Sequence, residues 1–169
     1  MNIDLNSFER VRRIDETLPA GEIDLDLPNA KVGEDVSLSG ELEKTAASTT
    51  LKGRLAGAME VSCDRCLEPE RRPFDIELDL EFVPGKAFGA DANLELHADD
   101  LKIDAIAEDL IDLTEIAREQ ILLDMPQQFF CREDCQGLCQ KCGANLNEND
   151  CGCSESEIDP RWAALKNLN

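Results

Sequence analysis

Six cysteines crowd into residues 131–153 as C-x3-C-x3-C-x2-C-x8-C-x-C, in a polar stretch with two leucines and no isoleucine. Such a segment cannot bury enough apolar surface to fold by itself, so cross-links must order it. Their chemistry depends on the compartment. The opening residues, MNIDLNSFERVRRIDE, mix both charge signs and lack the apolar run of a secretion signal. Apolar stretches such as Leu55–Met59 are far too short to span a bilayer. The chain is therefore expected to be cytoplasmic, without membrane contact, where disulfides are rare and clustered cysteines more often bind metal.

A structural zinc ion takes four thiolates in a tetrahedron. Cys139 and Cys142 lie in a C-x2-C followed by Gly143, the pattern of a tight knuckle whose thiolates converge on one ion. The other two ligands come from the upstream pair, Cys131 and Cys135, or the downstream pair, Cys151 and Cys153. Spacing permits both, and the upstream set is the expected one. Free thiols serving as core filler do not suit so polar a stretch.

Cys63 and Cys66 form a second C-x2-C, in a turn after a strand. Three readings stand: half of a second metal site completed by C-terminal cysteines, a redox dithiol, or plain structural thiols. A redox pair belongs at a helix N-terminus, and here charge, Pro69 and another strand follow. Eight cysteines would also fill two four-ligand sites. An iron–sulfur carrier or thiol redox protein is the alternative class.

Strands are expected to about residue 83. Glu22–Leu27, Val36–Leu42, the parity Leu51–Gly53–Leu55–Gly57–Met59–Val61, and Phe74–Phe82 all alternate in the manner of half-buried strands. Polar residues 43–50 suit a hairpin loop. Gly53 and Gly57 on the apolar parity point to strong twist or close backbone approach. Residues 84–100 read as a long loop. From Leu113 the apolar period becomes helical, over about 113–124, with Asp112 or Thr114 as cap and Met125–Pro126 as stop. The tail DPRWAALKNL predicts a short helix opened by Asp159 and Pro160 and docked by Trp162. The expected architecture is α+β, an antiparallel sheet or partly closed barrel over residues 1–126, followed by a small zinc-binding segment over 127–169.

The formal net charge is -20, which repels phosphate backbones and favours basic partners. Residues 74–124 hold fifteen acids against three bases. The less acidic neighbourhood is Lys52, Arg54, Arg65, Arg71 and Arg72, the candidate contacts should RNA or a partner be touched there. Nothing marks an enzyme or a small-molecule site: His97 is the lone histidine, and no phosphate-cradling glycine loop occurs.

Several pieces occur in a telling order: VSCDRCLEP (residues 61–69), IDLTEIAREQILLDMP (111–126), C-x3-CQGLCQKCGANLN (131–147), CGC (151–153) and DPRWAAL (159–165). Together they resemble the YceD family, described as large ribosomal RNA subunit accumulation proteins. The resemblance runs from about Val61 to the C-terminus. It implies a factor supporting accumulation of large-subunit ribosomal RNA, in a family with no established catalytic activity. With the acidic charge, the expected partner is a ribosomal protein or a pre-ribosomal large-subunit particle, and the chain is not expected to be an enzyme. Some members of that family lack the C-terminal cysteines yet keep the first C-x2-C, so Cys63 and Cys66 are expected to matter in their own right.

Overall fold

Alternating apolar and polar residues can bury one face of a sheet and wet the other, and most of the first half of the chain follows that rule. The computed structural model describes residues 1–84, 103–106 and 109–153. The strands are β1 (Asn2–Asp4), β2 (Val11–Leu18), β3 (Ala30–Val32), β4 (Val36–Lys44), β5 (Thr49–Ser62), β6 (Pro69–Pro84), β7 (Ile103–Ile106) and β8 (Leu110–Asp112), followed by helix α1 (Leu113–Asp124). The chain divides into two units, Met1–Val61 with Glu70–Gln127, and Ser62–Pro69 with Gln128–Asn169. This differs from a single cut after residue 126, because the β5–β6 hairpin tip falls into the second unit.

In the first unit, one sheet runs β2-β4-β5-β6-β7, with β3 also paired to β5; β1 and β8 form a separate two-stranded ladder. The sheet is mostly antiparallel and curls into a half-barrel, so the expected α+β class holds. The β6–β7 pair runs parallel. The inward parity supplies the core: Ile14, Leu18, Val36, Leu38, Leu42, Leu51, Leu55, Phe74, Leu78 and Phe82 are all buried. Each contributes roughly 1.5–3 kcal/mol by leaving water.

Gly53 makes the close backbone approach its placement predicts, whereas Gly57 makes room for side chains. Gly40 and Gly53 face each other across β4 and β5. A Cβ on Gly40 would lie 2.5 Å from the Lys52 carbonyl oxygen, and one on Gly53 would strike the Ser39 carbonyl. A Cβ on Gly57 would lie 2.9 Å from the Phe74 ring.

The α1 boundaries agree with the sequence signals. Asp112 is the N-cap and its carboxylate accepts from the Thr114 N–H at 2.9 Å. Leu113, Ile116, Ala117 and Ile121 form the buried stripe, and Met125 ends the helix. β8 leads directly into it and pairs with β1 in the register Ile3↔Ile111.

One expected strand is absent. Residues 22–27 form no ladder apart from an isolated Leu27–Ala30 bridge. Ile23 and Leu25 are buried as the alternation requires. However, the intervening acids serve a turn: the Asp24 carboxylate accepts from the Asp26 N–H, and Asp26 has φ 55°. Short acidic side chains that bond their own backbone two residues on compete with strand pairing. Pro84, the first residue of the loop expected over 84–100, ends β6; the rest of that loop, His97, and the expected tail helix with Trp162 lie outside the described residues. Among the described residues, no helix is long and apolar enough to cross a membrane.

Candidate metal centres

All eight cysteines are reduced, and they gather into two sets of four. The first is Cys63, Cys66, Cys131 and Cys135; the second is Cys139, Cys142, Cys151 and Cys153. Within each set every sulfur lies within 4.8 Å of the others. The grouping corrects the expected ligand set: Cys131 and Cys135 do not join Cys139 and Cys142, but meet the hairpin-tip pair instead. The downstream alternative, Cys151 and Cys153, is the pair that meets Cys139 and Cys142.

Both sets are built on the same turn. In residues 63–68, the Leu67 N–H donates to the Cys63 carbonyl at 2.8 Å and the Cys63 N–H to the Glu68 carbonyl at 2.9 Å. In residues 139–144, the Gly143 N–H donates to the Cys139 carbonyl at 2.8 Å and the Cys139 N–H to the Ala144 carbonyl at 2.8 Å. The residue after each second cysteine is left-handed, Leu67 at φ 62° and Gly143 at φ 74°. Such a turn aims both thiols of a C-x2-C to one side while backbone N–H groups face the sulfurs; the Arg65 N–H lies 3.4 Å from Cys63 Sγ. The sequence mark of the knuckle was the glycine. Cys66 is followed by Leu67, which hid the second copy.

The first set is held by more than sulfur. The Asp64 N–H donates to the Phe129 carbonyl at 2.8 Å, and the Phe129 N–H returns to Asp64 Oδ2 at 2.7 Å. The Arg65 guanidinium donates to the carbonyls of Glu133 and Cys135 and stacks 4.1 Å from the Phe130 ring centre. The Leu138 N–H donates to the Arg65 carbonyl. Asn147 Nδ2 lies 3.4 Å from Cys135 Sγ. Cys63, Cys66 and Cys135 are buried, with Cys131 and Leu138 packed beside them.

Sulfur spacing tests what this cradle fits. Cys63 and Cys135 are 3.8 Å apart, Cys66 and Cys131 3.7 Å. A disulfide needs about 2.05 Å. Four thiolates bound to one ion at about 2.3 Å stand about 3.8 Å apart along the tetrahedron's edges. The site therefore fits a single tetrahedral ion.

Electrostatics point the same way. Burial opposes ionisation of Cys63, but the N–H groups of Cys131, Cys66 and Arg65 outweigh it and bring the thiol down to about 6. Cys131 is pushed up to about 12 by burial and by the neighbouring Cys135 and Cys66. In the second set the N–H groups of Cys142 and Lys141 bring Cys139 down to about 6, while Cys142 and Cys151 push Cys153 up to about 12. Crowded thiolates repel one another, and full ionisation of either set needs a countercharge. A divalent cation supplies it.

The candidate basic contacts are largely engaged within the protein. Arg54 pairs with Asp75 through both forks, and Arg71 with both oxygens of Glu34 at 2.8 Å. Arg65 is committed as described, and Arg72 is engaged as well. Lys52 lies exposed, in register with Glu41.

Fold and site together define an α+β protein carrying two four-thiol clusters, each able to hold a metal ion. The chain belongs to the YceD family: the family described as large ribosomal RNA subunit accumulation protein YceD matches residues 51–169. A protein of Mycobacterium tuberculosis, described as uncharacterized, is 30% identical over 143 residues, covering 85% of this chain and 66% of its own length. YlbN of Bacillus subtilis is 28% identical over 169 residues, covering 96% and 88%. The large ribosomal RNA subunit accumulation protein YCED homolog 1, chloroplastic, of Arabidopsis thaliana is 27% identical over 158 residues, covering 80% and 49%. The chain thus spans just under two thirds of the mycobacterial relative. No solved structure is significantly similar.

Proposed function

We propose that this protein is a cytoplasmic, non-enzymatic factor supporting accumulation of large-subunit ribosomal RNA, and that it works by contacting a ribosomal protein or a pre-ribosomal large-subunit particle. Membership of the YceD family carries this reading. The charge of -20 supports protein contact over naked RNA, since an acidic surface attracts basic ribosomal proteins and repels phosphate. So does the internal pairing of Arg54 and Arg71, which leaves less free positive charge for RNA. The metal in this reading is zinc, and its role is structural. In each set all four sulfurs lie within 4.8 Å of one another, which leaves room for one ion and not for a multi-iron cluster and so disfavours the cluster form of the iron–sulfur alternative.

Two measurements test the role. Sucrose-gradient profiles of a deletion strain should show depleted large subunits; an unchanged profile would remove the assembly role. A pull-down at low salt should enrich basic ribosomal proteins, and high salt should release them. Enrichment of naked RNA instead would overturn the protein-contact mechanism.

A further inference from the structure

We propose that this chain binds two divalent, thiolate-preferring metal ions, one in each four-cysteine cluster, and that the second site is the one that exchanges its ion. The inference goes beyond the ribosomal role and does not depend on it. It rests first on the repeated turn. Residues 63–68 and 139–144 make the same pair of backbone hydrogen bonds and place a left-handed residue directly after the second cysteine. A turn that presents two thiols to one ion occurs twice, and each copy meets its own second pair of cysteines. No cysteine is shared between the sets and none is left over.

The two sites differ in how they are enclosed. The first joins segments 65 and 72 residues apart in sequence, has three buried cysteines, and is surrounded by the Asp64–Phe129 exchange and the Arg65 fork. Its thiols stay together while those contacts hold, and from solvent a chelator meets only the half-buried Cys131. The second closes a loop within residues 139–153. Its Cys142 and Cys153 are exposed, and the turn at Gly152 is held by an N–H donated to Asp150. A competing ligand can approach those two sulfurs from solvent, displacing one thiolate at a time.

Metal analysis of the full-length protein loaded with zinc, and separately with cobalt, reads this directly. Two ions per chain are expected, with cobalt absorption typical of tetrahedral thiolate coordination saturating at two equivalents. C151S/C153S and C63S/C66S should each halve the stoichiometry. A single ion in the wild type would overturn the proposal, as would a stoichiometry untouched by C63S/C66S. Release to a chromogenic chelator should be biphasic, one equivalent leaving at least tenfold faster, with the fast phase missing in C151S/C153S. Should C63S/C66S fail to fold, the wild-type stoichiometry and the C151S/C153S release trace still decide the matter. One uniform phase in the wild type, or a fast phase that survives in C151S/C153S, would sink the assignment of the exchanging site. A normal ribosome profile in a deletion strain would leave both metal results standing.

Discussion

Leu67 and Gly143 occupy the same place in two copies of one turn, each left-handed and each donating its N–H to the carbonyl of the first cysteine of its pair. Glycine adopts that conformation without penalty. A leucine there brings Cβ close to its own carbonyl, at a cost of roughly 1–2 kcal/mol. Leu67 is also 62% exposed, so little burial offsets the strain.

Replacing Leu67 with Gly should therefore stabilise the metal-loaded protein, by up to about 1 kcal/mol after the extra flexibility of glycine in the unfolded chain is counted. L67N should lie between the two, because Asn tolerates the left-handed region better than Leu. Thermal unfolding of the three proteins checks the order. A clear loss of stability in L67G would mean that the leucine side chain has a packing role its exposure does not reveal.

Asp64 supports the first thiol cluster through its hydrogen bonds to the Phe129 backbone. D64A removes the acceptor facing the Phe129 N–H, bonded at 2.7 Å, while leaving Cys63 and Cys66 in place. Losing a hydrogen bond to a charged acceptor should cost about 1–3 kcal/mol. D64N keeps an oxygen at that position and should recover part of the loss. Denaturant midpoints with metal saturated separate the variants, and equal midpoints would show that Asp64 is dispensable.

The sheet parities and α1 were legible because their signals are local. Phe74–Phe82 alternates without a fault, and α1 carries its cap at Asp112 and its stop at Pro126. β2 was not legible: Arg12 and Glu16 share the parity of buried Ile14 and Leu18, so the apolar signal is diluted. β1 and β8 have three residues each, too few for any period to show. The segment at residues 22–27 misled because acid–apolar alternation suits a turn built on Asp24 as well as a strand. The thiols were legible as groups able to hold a metal ion, yet not as sets. Partners 65 and 72 residues away leave no trace in local spacing, and the one local clue, the repeated turn, was disguised by a leucine.

Between β4 and β5 the backbone leaves no space for a side chain at residue 40. G40A would set its Cβ against the Lys52 carbonyl, a rigid neighbour, and should cost about 1–3 kcal/mol through forced strand separation. G57A meets the end of the Phe74 ring and should cost less, since a ring can shift. G21A has nothing within 4 Å and should change stability by no more than about 0.5 kcal/mol. Urea midpoints rank the three; a G40A protein as stable as G21A would contradict the close approach.

Asp112 links the helix start to pH. Burial would raise its carboxyl, but the Met1 amine and the Thr114 N–H outweigh that and hold it below the usual carboxylate range. A folded-state pKa lower than the unfolded one means that the ionised group stabilises the fold. That contribution is fully present above the unfolded value, near 4, and disappears as pH falls through the lowered folded value. At neutral pH, D112A should lose the cap and about 1 kcal/mol. The gap between wild type and D112A should stay constant from pH 7 to about 5 and narrow below pH 4 as the wild-type carboxyl takes up its proton. Chemical denaturation across that range gives the gap directly. A gap that widens with acid would require Asp112 to act as a protonated donor, opposite to the role its contacts assign it.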